Sequence, residues 1–243
     1  KPKTLEQELA ARQERFQNAA EIEKLGNNLG TEISVGLDKP EGELLSGDFI
    51  KAFPLNDGRL IFFIGDVEGH GTEAGKVSLA MHNLMDNPEF KSLCENNHPS
   101  DILKSIDRTL SAVKGGNSLA LASVIFNPKT GDLEYANAAL PRLIIRKNDG
   151  ELEQLSASGF YVGGGYGVSN SGTATTKLEK GNIAILMSDG VYEGKDKEDL
   201  MVGKILTDIL QGTKLDNAKN VKDAILSHVG EKIDDMTILV LKF

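Results

Sequence analysis

Four acidic segments lie where apolar, strand-like runs stop or start, and this pairing restricts the fold more than any other feature. They are Ser46-Gly47-Asp48-Phe49, Gly65-Asp66-Val67-Glu68-Gly69-His70-Gly71, Ser188-Asp189-Gly190 and Asp234-Asp235-Met236-Thr237. Leu60-Ile61-Phe62-Phe63-Ile64 runs into Asp66, Ile183-Ala184-Ile185-Leu186-Met187 runs into Asp189, and Thr237-Ile238-Leu239-Val240-Leu241 follows Asp234. Carboxylates are costly to crowd at strand ends unless a cation neutralises them. Taken singly, each is weak evidence, because Asp-Gly is a common turn and an acidic pair at a strand start is more often a solvated end. Taken together, they indicate oxygen-ligand ions such as Mg²⁺ or Mn²⁺ rather than zinc. Two such ions activate a water and neutralise a phosphate oxygen without a covalent nucleophile.

The rest of the pattern alternates between strands and helices. Residues 4–25 read as one helix, with no Gly or Pro between Lys3 and Lys24 and a narrow apolar stripe of Leu5, Leu9, Phe16, Ile22 and Leu25. Such a stripe suits a coiled coil, a helix on a domain edge, or a solvated helix ordered by packing. Residues 31–37 alternate like a half-buried strand. Asn56-Asp57-Gly58 links strands over 49–54 and 59–64 as a hairpin, and the turns around Gly131 and Gly150 make two more. Those turns join strands over 120–126 and 133–136, then 142–147 and 152–155. Helices are expected over 71–85, 100–113 (with Ser100 as N-cap), 197–211 and 218–230, and strands over 183–187 and 237–243. Residues 159–172 are rich in Gly and Ser and read as a mobile loop, either a specificity flap or a disordered connection. This is an α+β layered fold with mainly antiparallel sheets, an N-terminal helix or linker over 1–28 and a main domain over 29–243.

Composition narrows the chemistry. The 243 residues carry a net charge of −9, and no basic stripe marks a nucleic-acid footprint. That disfavours a two-metal nuclease or phosphodiesterase. The single cysteine, Cys94, excludes an internal disulfide and a Cys-based zinc site, and reads as a half-buried structural thiol. No apolar run approaches the ~18 residues of a membrane span, so a cytoplasmic setting is expected. The sequence begins at Lys1, so this setting includes the cytoplasmic part of a larger, even membrane-anchored, protein. His70, between two glycines at a helix start, is either a general acid, a ligand or a turn cap, whereas His82, His98 and His228 read as structural. No Ser-His-Asp triad, P-loop or dinucleotide fingerprint stands out.

The ordered set Ser-Gly-Asp-Phe, Gly-Asp-Val-Glu-Gly-His-Gly, Leu133-Glu134-Tyr135-Ala136-Asn137-Ala138, Ser-Asp-Gly-Val-Tyr-Glu and Asp-Asp-Met-Thr resembles the bacterial SpoIIE/RsbU-type phosphatases. These belong to the metal-dependent protein phosphatases related to protein phosphatase 2C. The resemblance covers residues 32–243 and implies an αββα sandwich with two Mn²⁺ or Mg²⁺ ions between its sheets. By motif position Asp66 bridges both ions and the Val67 carbonyl joins the second. Asp189 and Asp234 hold the first, Asp48 supports the second, and Asp235 stands behind the ligands. The implied activity is hydrolysis of phosphoserine or phosphothreonine by a metal-bound water, with Asp66, Asp189 and Asp234 as catalytic residues.

The implied substrate is a STAS-domain anti-sigma-factor antagonist. The implied regulator is an upstream sensor or activator acting through residues 4–25, which are also a candidate homodimer contact. The helix after Gly71 is implied to take part in the switch that completes the metal site. Two departures bear on this reading. Ser46 replaces the first glycine of Gly-Gly-Asp-Phe, and Asn137-Ala138-Ala139-Leu140-Pro141 lacks the family's Gly-His. The second departure keeps an alternative open: a catalytically weak or silent relative that binds a phosphoprotein.

Overall fold

The computed structural model describes residues 4–16, 18–112, 118–157, 159–164, 172–192, 204–212, 217–229 and 234–243. Residues 165–171 of the glycine-rich segment and 197–203 of the helix expected over 197–211 lie outside them.

Strands form because β-branched and aromatic runs are bounded by turn residues. β1 (Glu32–Asp38), β2 (Phe49–Pro54) and β3 (Leu60–Val67) precede three helices, α3 (Gly71–Asp86), α4 (Pro88–Glu95) and α5 (Pro99–Ser111). Then come β4 (Leu119–Phe126), β5 (Asp132–Ala138), β6 (Ile144–Arg146), β7 (Leu152–Gln154), β8 (Ala174–Lys177) and β9 (Ile183–Met187). Helices α6 (Lys204–Gly212) and α7 (Ala218–Leu226) lead to β10 (Met236–Lys242). Two five-stranded sheets result, ordered β1-β10-β9-β6-β7 and β2-β3-β4-β5-β8, with antiparallel pairing throughout.

The two-residue period of a strand explains the layers. Along β3, Leu60, Phe62 and Ile64 enter the core between the sheets, while Ile61 and Phe63 meet Met81, Met85, Phe90 and Ile102 of α3, α4 and α5. Along β9, Ala184 and Leu186 face the other sheet, while Ile183, Ile185 and Met187 meet Leu210, Val221 and Ile225 of α6 and α7. Each large side chain so buried contributes about 1.5–3 kcal/mol. The architecture is the αββα sandwich.

Five details differ from the sequence reading. The N-terminal segment is two helices, α1 (Leu5–Phe16) and α2 (Ala19–Asn27), because the Asn18 side chain accepts the Glu21 N–H and starts the second. α2 buries Ile22 in the inter-sheet core, and α1 packs on α3. Helix α5 starts one residue earlier than expected, with Pro99 at its first turn and His98, not Ser100, in the cap position. Helix α4, capped by Asn87, and the edge strand β8 were not anticipated. Cys94, on α4, is fully buried rather than half-buried.

Candidate active site

The acidic segments meet at one edge of the sandwich, contributed by both sheets. On one sheet, β3 carries Asp66 opposite Ala120 and Val67 opposite Leu119. The chain then turns through Gly69 and Gly71, both at positive φ (94° and 71°), before α3 begins. On the other sheet, β9 ends at Met187, and Asp189 opens a 3₁₀ turn, Asp189–Val191, in which the Tyr192 N–H reaches the Asp189 carbonyl at 2.7 Å. Gly190 is obligatory here, because a Cβ would lie 1.9 Å from the Asp235 carbonyl oxygen. That close approach sets Asp189 beside the Asp234-Asp235 pair.

Asp66, Val67, Asp189 and Asp234 line one cavity of about 590 Å³, together with Glu68 and His70. Asp48 and Asp235 are buried and do not line it. They tie the sheets together instead. The Ser188 hydroxyl donates to Asp48 Oδ2 at 2.6 Å and accepts the Thr237 N–H at 2.8 Å. The Gly47 N–H donates to Asp235 Oδ2 at 2.6 Å, and the Asp235 N–H donates to Asp234 Oδ1 at 2.8 Å. Behind this loop, buried Gln13 of α1 pairs with the Ser46 backbone. Its Nε2 donates to the Ser46 carbonyl at 2.6 Å, and its Oε1 accepts the Ser46 N–H at 2.9 Å.

The electrostatics are those of crowded anions. Burial pushes the Asp66 carboxyl up to about 9, reinforced by the negative charges of Asp48, Asp189 and Asp234. Asp48 is pushed to about 8 by burial, against the opposing Ser188 hydrogen bond. Asp235 rises to about 6, again chiefly by burial, with the Gly47 N–H opposing. Among the described residues no three His, Cys, Asp or Glu side chains close into a ready-made metal cage. The donor set still suits a hard divalent cation, since it offers carboxylates and a backbone carbonyl and its charges repel until one is supplied.

The remaining candidates separate clearly. His70 is 79% exposed at the cavity, makes no side-chain cap, and lies 3.2 Å from Glu43. His82 is buried against Phe49, His98 meets Glu134 at 2.5 Å, and His228 contacts the Ala224 carbonyl at 2.8 Å. Leu140, where the family's histidine is missing, points into the inter-sheet core, and Asn137 closes the turn by bonding both its N–H and its carbonyl. Ala139 holds the left-handed conformation (φ 69°) that glycine adopts more cheaply. Sequence reasoning missed Ser188, although its place beside Asp189 was a signal. It also missed Phe160 and Tyr161, which line the cavity.

RsbU of Bacillus subtilis, a phosphoserine phosphatase, is 24% identical over 218 residues, covering 86% of this chain and 63% of RsbU. The chain thus spans less than two thirds of that relative's length. The SiaA-PP2C domain of Pseudomonas aeruginosa superposes with a TM-score of 0.78 at 16% identity, over 98% of this chain and 95% of that one. RsbX in complex with magnesium does so at 0.67 and 19%, over 87% and 94%. At these identities the structures show a shared fold. Residues 56–243 match the family described as Stage II sporulation protein E (SpoIIE). That stretch is well over half of the sequence, and the chain belongs to the SpoIIE family.

Proposed function

We propose that this chain removes phosphate from phosphoserine or phosphothreonine in a protein substrate, as a metal-dependent phosphatase of the protein phosphatase 2C type. The carrying observation is the convergence of Asp66, Asp189 and Asp234, from both sheets, on one cavity. Family membership and the magnesium bound by RsbX support the same reading.

Asp66, the Val67 carbonyl, Asp189 and Asp234 would hold two Mn²⁺ or Mg²⁺ ions, with Asp48 supporting them from behind. Bound there, the ions supply a lowered pKa for an attacking water and neutralise phosphoryl oxygens. The protein's own part is positioning. Ser188 and Gly47 fix the Asp48 and Asp235 carboxylates, so the loop before β2 cannot drift from the start of β10. Gly190 keeps Asp189 against the same point. Leu140 and Ala139 serve the turn after β5 and are not among the described residues that line the cavity.

We infer further that the substrate is a STAS-domain antagonist in sigma-factor regulation, as the resemblance to the SpoIIE/RsbU-type phosphatases implies. We also retain residues 1–28 as the link to a sensor or activator, since α1 grips the loop that carries Asp48 through Gln13. The test is hydrolysis of a phosphoserine peptide and an aryl phosphate at saturating Mn²⁺, repeated with any longer natural form of the protein. Turnover is expected, and Asp66→Ala and Asp189→Asn abolish it. Turnover no higher than that of Asp66→Ala would hand the protein to the alternative of a phosphoprotein-binding module.

A further inference from the structure

Two of the five large hydrophobic side chains that stand exposed among the described residues are neighbours in sequence. Phe160 is 57% exposed and Tyr161 47%. Both line the carboxylate cavity. An aromatic side chain carries roughly 150–250 Å² of surface that folding ordinarily buries, so an adjacent exposed pair at a site mouth marks a contact surface.

The pair is held there by its backbone. β5 stops at Ala138, opposite Leu121 of β4. Two residues earlier on β4, Leu119 takes a different partner, Val162, through two backbone hydrogen bonds of 2.9 Å. Leu119 is also the residue opposite Val67. Val162 is fully buried, and the next N–H, that of Gly163, donates to Asp107 Oδ1 of α5 at 2.9 Å. Phe160 and Tyr161 therefore precede an anchor belonging to the same ladder as Asp66 and Val67.

The charge of the cavity says what they meet. Its described lining includes Asp66, Glu68, Asp189 and Asp234 but no Lys or Arg, and His70 lies beside Glu43. With the ligand carboxylates neutralised by the ions, Glu68 remains and the described lining offers no Lys or Arg to pair with an acidic residue flanking the phosphorylated one. An apolar one would cover the rings and shed water.

We propose that Phe160 and Tyr161 form an apolar shelf that selects phosphorylated segments with an aliphatic or aromatic residue beside the phosphoserine or phosphothreonine. This inference rests on the phosphatase reading and names the substrate chemistry of that site. The pair determines specificity rather than performing the reaction.

The experiment compares phosphoserine peptides matched in length, with leucine or with glutamate at the flanking positions, at saturating Mn²⁺. The leucine peptide is expected to be preferred by about 10-fold in kcat/KM, mostly through KM, as befits one apolar side chain in a contact. In Phe160→Ala/Tyr161→Ala that preference shrinks to within about 2-fold of parity. A readout independent of turnover comes from Phe160→Trp, because the chain has no tryptophan. Its emission is expected to shift to the blue with a non-hydrolysable phosphonate version of the leucine peptide, and to stay put with the glutamate version. Equal use of both peptides by the unaltered protein, a preference that survives the double substitution, or identical emission with both phosphonates each overturns the shelf. Absence of turnover on every phosphate, aryl phosphate included, sinks the phosphatase reading and this inference with it.

Discussion

Helix α3 starts beside the carboxylate cavity and runs back into the layer that buries His82 and Cys94, so it joins two regions that withdraw ionisable groups from water. In the helical layer, burial drives His82 down to about 4, with nearby Lys51 adding to the effect, and drives the Cys94 thiol up to about 12. Each is thereby kept neutral within apolar packing. At the sheet edge burial also dominates, yet like charges add to it and the groups face an accessible cavity. Burial alone therefore does not mark a site. Like charge gathered from separate strands at a cavity does.

Four substitutions or conditions probe this contrast. The largest effect is expected for Asp66→Asn, with Mn²⁺-dependent turnover falling about 1,000-fold, or about 4 kcal/mol of barrier. Its thermal midpoint without metal should hold near neutral pH, because burial already keeps the Asp66 carboxyl largely protonated and the amide is neutral too. A lower midpoint would place Asp66 with the structural residues.

Next comes acid. The His82 imidazole is held below its ordinary 6.5, so the unfolded chain takes up a proton before the folded one does. Stability present above pH 6.5 is thus lost as pH falls toward 4, by up to about 3 kcal/mol for this shift. Denaturant titrations of the protein and of His82→Leu at several pH values should diverge only in that window.

Asp235→Ala is third, leaving the buried Gly47 N–H without its acceptor at a cost of about 2 kcal/mol. Asp235→Asn retains an acceptor oxygen and should recover much of it, as read from urea midpoints. If the two variants are equally unstable, charge rather than hydrogen bonding holds the loop. Smallest is Ala139→Gly, expected to add about 1 kcal/mol by relieving the left-handed backbone while leaving kcat alone. A changed kcat would tie that turn to the site rather than to the fold.

Much of the sandwich was legible because its strands are continuous apolar runs between turn residues. Residues 183–187 matched β9 end to end, and Asn56-Asp57-Gly58 closed the β2–β3 hairpin. β8 (Ala174–Lys177) escaped because a short, polar edge strand has no apolar period. The break in the N-terminal helix escaped because it depends on Asn18, a cap with helix formers on both sides.

At the site, residue type and strand-end position pointed to Asp48, Asp66, Asp189, Asp234 and Asp235 alike. The division between carboxylates that line the cavity and those that clamp the sheets was invisible. It depends on partners 140 and 188 positions away, Ser188 for Asp48 and Gly47 for Asp235. The aromatic pair was hidden for a related reason. Within a Gly-rich stretch, nothing local shows that Val162 is tied to β4.

The order of strands in the first sheet bears on how the protein is made. β10 follows every other described element in the chain, yet it lies between β1 and β9. On a ribosome, β1 must wait for it to join β9, and so must Asp234, Asp235 and the partners that Ser188 and Gly47 need. Contacts this distant in sequence form slowly. A nascent chain short of β10 has its second sheet and helices within reach but no assembled site. A ribosome stalled before residue 236 would hold a chain whose carboxylates have not yet met.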